Sequence, residues 1–288
     1  MRAQEIYSQW DCIRENIGDW HGSFAQYQPD GTLDKLTPSQ LTLAETTPEQ
    51  QMQLTLVRTP PEGPHTVRRE FSYPGPAPHV YFFKTGAFSQ GPLQYRGYAQ
   101  FGAELSLKAD SRRLRFVQMY EGATDGTSRL DYVTLIREQL DRPPPIAETG
   151  LQLSQLRGVW SGQTIVFCPT ENRLKTDCSR WQIETEAETG LEIYDRIEPV
   201  YERRLTATVS QPQAPGKPTD GWRLMLLPDG AACLLQQQLS AKTAFTLEAV
   251  WLLSPLQRQR LIRCYDQQGR WTHLILAIEE KVSETSDA

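Results

Sequence analysis

Polar and apolar positions alternate with a period of two along much of this chain. Gln51-Met52-Gln53-Leu54-Thr55-Leu56 keeps the alternation for six residues, as a strand with one buried face requires. Leu205, Ala207 and Val209 alternate in the same way with Thr206, Thr208 and Ser210. Strand-like runs recur at Val80–Phe83, Ala99–Leu107, Leu114–Tyr120 and Leu130–Ile136, with matching runs later in the chain. Turn signals divide them at Pro29-Asp30-Gly31, Asp125-Gly126, Pro228-Asp229-Gly230 and Gln268-Gly269. Short strands at regular spacing predict an all-β sandwich or up-and-down barrel. Only residues near 3–16 read as helical, a short lead-in. Two segments read as long surface loops: Thr59–Pro78, with six prolines, and Gln211–Thr219.

The strand pattern occurs twice. Ile17-Gly18-Asp19-Trp20-His21-Gly22 matches Arg157-Gly158-Val159-Trp160-Ser161-Gly162 at a shift of 140. Gly86-Ala87 matches Gly230-Ala231, and Phe101-Gly102-Ala103-Glu104 matches Phe245-Thr246-Leu247-Glu248, both at 144. Arg115–Tyr120 matches Arg260–Tyr265 at 145, and Val133–Glu138 matches Leu274–Glu279 at 141. Matches in one order at nearly one offset indicate an internal duplication. A period of about 140 residues is too long for a solenoid repeat, so each copy is a complete domain. The predicted organisation is a domain over 1–142 with its helical lead-in, a Pro-rich linker over 143–150, and a second domain over 151–288 ending in an acidic, polar tail.

Charge and composition narrow the function. The 288 residues carry a net charge of −5, shared evenly between 15 basic and 17 acidic side chains in 1–142 and 15 and 18 beyond. Neither half is a basic module, which argues against nucleic-acid binding. The Arg112, Arg113, Arg115 cluster reads as a solvated strand end. The longest apolar runs, Leu274–Ile278 and Ala249–Leu253, are five residues long, too short to insert in a membrane. No secretory signal opens the chain, and five irregularly spaced cysteines read as free thiols, so a cytoplasmic location is expected. The four histidines form no metal-binding pattern, and neither a nucleophile elbow nor a phosphate or dinucleotide loop is present. His21 and His273 read first as satisfied polar positions, and second as a general base or bilin contact. No cofactor and no enzymatic activity are expected.

Two constellations stand out. A hairpin about Asp110 sets Glu104 opposite Arg115, and the second copy sets Glu248 opposite Arg260 across Ser254-Pro255-Leu256. A charge on an apolar strand face needs a partner, so these pairs are expected inside or at the rim of each barrel, as candidate ligand contacts. The alternative is two ordinary surface pairs. Trp20 and Trp160 recur between the copies, which suits a barrel-closing plug whose indole N–H is hydrogen-bonded.

Gly18-x-Trp20 and Gly158-x-Trp160, each followed only by β hairpins, resemble the opening motif of lipocalins and related calycin barrels. Phe83–Gly91, Phe101–Leu105, Arg112–Val117 and Leu135–Glu138 together resemble a cyanobacterial and plastid family long catalogued as a domain of unknown function. That resemblance, from about Trp10 to Glu280, implies two tandem lipocalin-like antiparallel barrels. The family's plant members are chloroplast biogenesis factors for ATP synthase. It therefore implies a non-enzymatic assembly factor or chaperone that binds the β and γ subunits of the F1 head. The rival expectation is a carrier of a small hydrophobic ligand or bilin, with a lyase-type enzyme ranked below it. An apolar cavity above about 300 Å³ with a Glu–Arg pair at its mouth favours the carrier, and filled barrels with exposed apolar surface favour protein binding.

Overall fold

The structure, a computed structural model, describes residues 7–145, 150–186, 190–210 and 221–282. Its N-terminal half comprises α1 (Gln9–Arg14), β1 (Gly18–Tyr27), β2 (Leu33–Thr47), β3 (Gln51–Arg58), β4 (His65–Ser72), β5 (Val80–Phe82), β6 (Phe88–Gln90), β7 (Phe101–Ala109), β8 (Arg112–Gly122) and β9 (Thr127–Leu140). The C-terminal half comprises α2 (Leu153–Leu156), β10 (Gly158–Cys168), β11 (Arg173–Glu186), β12 (Gly190–Ile197), β13 (Tyr201–Ser210), β14 (Trp222–Leu226), β15 (Ala231–Gln236), β16 (Gln238–Ser240), β17 (Phe245–Ser254), β18 (Gln257–Tyr265) and β19 (Trp271–Lys281). Residues 146–149 of the predicted linker, the Gln211–Thr219 loop and the tail from 283 lie outside the described residues. No helix among the described residues is long and apolar enough to cross a membrane.

The halves are two tandem lipocalin-like barrels that differ in how they close. The C-terminal sheet runs β10-β11-β12-β13-β14-β15-β17-β18-β19 and returns to β10. Its neighbours are antiparallel except at β13 and β14, which run parallel from Ala207 opposite Trp222 to Ser210 opposite Met225. The N-terminal sheet follows the same succession, β4-β3-β2-β1-β9-β8-β7-β6-β5, but stops there: β4 and β5 share no ladder. The seam is spanned by the turn over Tyr73–His79, in which Pro74, Pro76 and Pro78 have no N–H to give a ladder.

Of the expected helical lead-in, residues 3–6 lie outside the described residues and the helix among the rest is Gln9–Arg14; α2 repeats it before the second barrel. The Thr59–Pro78 segment is not one long loop. Val67 and Phe71 place their apolar side chains on one face, and β4 pairs along β3 from Gln51 opposite Ser72 to Arg58 opposite His65. Flanking prolines and Arg69, which interrupts the apolar face, mask this strand in the sequence.

The largest apolar cluster lies between the barrels. Phe101, Leu105, Phe116, Tyr120 and Leu135 of one half pack with Leu247, Trp251, Leu261, Tyr265 and Leu274 of the other. The faces are also stitched by hydrogen bonds. Gln118 donates to the Glu248 carbonyl at 2.8 Å, Tyr120 to that of Gln236 at 3.0 Å, and Arg263 to that of Gly91 at 2.8 Å. Strand β16 leaves its own half to pair with β9, Leu239 opposite Ser128. The interiors form separate clusters, Trp10, Trp20, Leu41 and Met52 in the first barrel and Trp160, Trp181, Ile193 and Leu224 in the second.

Candidate functional site

Both barrels carry a charged cluster on the inner face of the same strands. In the first, Arg113 of β8 stands directly across from Glu138 of β9, and in the second Arg258 stands across from Glu279. Arg115 and Arg260 follow two residues later and therefore share that inner face. Glu138 accepts from Arg113 Nε at 2.7 Å and from Arg115 Nε and Nη2 at 3.0 Å each. Glu279 accepts from Arg258 Nε at 2.7 Å and from Arg260 Nη2 at 3.0 Å.

The repeated tryptophans belong to these clusters. Trp20 Nε1 donates to the Asn16 carbonyl, in the turn after α1, and Trp160 Nε1 to that of Leu156, the last residue of α2, each at 2.9 Å, so the end of each lead-in holds its indole. The Arg113 guanidinium lies 4.2 Å from the centre of the Trp20 ring, and Arg258 lies 4.5 Å from that of Trp160. Such stacking favours the cation where water is excluded.

The Arg112–Arg115 cluster is therefore no solvated strand end. Arg112 is exposed, but Arg113 and Arg115 are 3% and 7% exposed. A period of two sends both inward, where Glu138 makes the burial tolerable. The predicted Glu–Arg pairs lie on the expected face in a different register. Glu104 faces Val117 and Glu248 faces Ile262, because a two-residue turn at Asp110-Ser111 closes the first hairpin and a bulge near Leu252 precedes the second turn. Each arginine thus reaches its glutamate diagonally. Arg115 Nη1 donates to Glu104 at 2.8 Å, whereas Arg260 stands 4.0 Å from Glu248 and binds Asp195 at 3.0 Å instead. Glu138, Glu279, Asp195 and Arg203 escaped the sequence reading. For the first two a signal existed: the repeat aligns them with each other.

The barrels part company around these clusters. In the second, Asp195 joins Arg260 to Arg203 at 2.7 Å, Arg203 also binds Glu248, and Tyr201 donates to Asp195 at 2.9 Å. The Trp181 ring lies 3.9 Å from the Arg258 guanidinium on another side, and these groups occupy the interior. In the first barrel the matching space is a cavity of about 310 Å³, lined by Leu41, Leu56, Val67, Phe71, Glu104, Arg113 and Arg115 among others.

Burial alone would raise the carboxyl pKa values, but the neighbouring arginines outweigh it. Arg113 and Arg115 hold Glu138 below its ordinary value of 4.5, and Arg258 and Arg260 do the same for Glu279. Arg260 and Arg203 hold Asp195 below 3.8. Near and below these ordinary values the unfolded chain binds more protons than the folded one, so acid destabilises the fold. The contribution is complete above about pH 5 and is lost as pH falls through the depressed folded values. Urea midpoints measured between pH 7 and pH 3 will show this fall, and a Glu138→Gln, Glu279→Gln double variant will show a shallower one. An unchanged slope would assign the acid sensitivity to other carboxylates.

Known proteins share this architecture. Residues 6–142 match the N-terminal domain of a family described as a domain of unknown function, DUF3598. The crystal structure of a DUF3598 protein of unknown function from Nostoc punctiforme is 32% identical, with a TM-score of 0.82, over 96% of this chain and 100% of the other. The chain belongs to the DUF3598 family. Within this DUF3598 chain, residues 147–282 match a domain described as the C-terminal domain of "Biogenesis factor required for ATP synthase 1". An S-type phycobiliprotein lyase from Guillardia theta covers 98% of the chain and 100% of its own at 6% identity and a TM-score of 0.17. No curated protein matches the sequence.

Proposed function

We propose that this protein is a non-enzymatic assembly factor for ATP synthase that holds subunits of the F1 head, β and γ, on its outer surface in the cytoplasm. The match of residues 147–282 to the biogenesis-factor domain carries this reading. The second barrel supports it physically, because its interior is taken up by Trp181, Arg203, Arg258 and Arg260 and leaves the outer faces for recognition.

One such face is a groove of about 730 Å³ where the barrels meet, lined by Tyr7, Tyr73, Pro76, Leu93, Phe167 and Trp271. Tyr73 is 61% exposed and Leu93 48%. Exposed aromatic and aliphatic side chains gathered in a groove are the usual anchors of a protein interface.

Size-exclusion chromatography with isolated F1 β and γ subunits tests the proposal. Co-elution with either, weakened at least tenfold by Tyr73→Glu with Leu93→Glu, is the expected result. Failure of both subunits to bind, together with unaltered F1 yield in cells lacking the protein, would overturn it.

A further inference from the structure

Strand register allows the two interiors to be compared position by position. Trp20 pairs with Leu41, Leu41 with Leu56 and Leu56 with Val67. From Trp160 the same path leads to Trp181, Asp195 and Arg203. A tryptophan and a bound ion pair in one barrel are thus replaced by two leucines and a valine in the other. All three smaller residues line the N-terminal cavity, which occupies the room that the larger set fills in the second barrel.

The exchange also unbalances the charge. In the second barrel three arginines (Arg203, Arg258, Arg260) face three carboxylates (Asp195, Glu248, Glu279). Around the first cavity Arg58, Arg69, Arg113 and Arg115 face Glu104 and the Glu138 beneath it. Arg113 is 3% exposed, lines the cavity, and has no hydrogen-bond partner at Nη2. Arg258 also keeps unpartnered nitrogens, but it is sandwiched by the rings of Trp160 and Trp181. With Leu41 in place of the second ring, Arg113 lacks that cover. A buried donor without a partner is costly, and an incoming acceptor removes the cost.

The remaining wall is apolar: Leu41, Leu43, Leu54, Leu56, Phe71 and Phe82. Val67 and Phe71 come from β4 and Val80 and Phe82 from β5, so the cavity reaches the unpaired seam, and the exposed Arg69 stands on its β4 side. An apolar chamber with an unfilled cationic end, set against a seam where β4 and β5 do not pair with each other, suits one kind of guest. We propose that the N-terminal barrel binds a small amphipathic carboxylate, its apolar body against β2, β3 and β4 and its head on Arg113 and Arg115.

Calorimetric titration of the intact chain with dodecanoate, dodecan-1-ol and dodecyltrimethylammonium tests this. Dodecanoate is expected to bind one to one, at least tenfold more tightly than the alcohol, with no saturable binding of the cation. Leu41→Trp and, separately, Leu56→Trp fill the chamber as Trp181 fills its counterpart, and either folded variant, verified by an unchanged melting transition, is expected to lose dodecanoate binding at least tenfold. Absence of saturable dodecanoate binding, equal affinity for the alcohol, or undiminished binding by a folded chamber-filling variant would overturn the proposal.

Discussion

Expressed without its partner half, the segment from 150 to 282 will aggregate or populate a loosely packed state, whereas both halves co-expressed as separate chains will recover a one-to-one complex. Leu247, Leu261, Leu274 and Leu276 lie on the outside of the second barrel, yet each is at most 1% exposed because the first barrel covers it. Re-exposing a buried leucine costs about 1.5–3 kcal/mol, so these four alone approach the whole stability of a typical domain, about 5–15 kcal/mol. Gly91, Pro92 and Ser89 would also leave the Arg263 guanidinium, which is buried at the junction. Dye binding, light scattering and calorimetry on the isolated half check this. A monomeric half that melts cooperatively and binds no hydrophobic dye would refute it.

Glu279→Gln will lower stability by about 3–5 kcal/mol, the usual cost of stranding buried charge by removing its partner. Two guanidiniums depend on this carboxylate, and Arg258 has no other acidic partner among the described residues. Glu138→Gln removes the equivalent group from the first barrel and will cost less, because the cavity they line leaves Arg113 and Arg115, 3% and 7% exposed, less enclosed than Arg258 and Arg260 at 0% and 1%. The ordering is the sharper part of the expectation. Urea unfolding of both variants at pH 7 measures it, and equal losses would contradict the contrast drawn between a filled and a hollow interior.

Much of the architecture was legible in the chain because period-two alternation survives wherever one strand face meets solvent or a polar interior, as in β3 and β13. The duplication could be read from short motifs, since the glycine before each tryptophan and the arginine five residues before each tyrosine (Arg115 and Tyr120, Arg260 and Tyr265) hold fixed places in the barrel. Other features were not legible, for physical reasons. Strands β17 and β19 are covered on both faces, so Ala249–Leu253 and Leu274–Ala277 show no alternation to betray which side is inside. The packing of one barrel against the other, which causes this, has no local sequence signal. Of the candidate site, the glutamate–arginine face was readable, but its register depended on the type of turn at Asp110-Ser111. The hollow in the first barrel was not readable, because Leu41, Leu56 and Val67 are ordinary strand residues until set beside Trp181, Asp195 and Arg203.

An unclosed seam leaves the rim of β4 able to recruit a strand from a neighbouring molecule, the route by which sheets polymerise, whereas on the rim of β5 the Gln9 side chain already binds the Phe82 N–H and carbonyl. The β4 rim carries Arg68, Arg69 and Glu70, all exposed, with prolines on either side of the strand. Charge and proline there act as insulation: the chain keeps one barrel unclosed without becoming the template for a fibre.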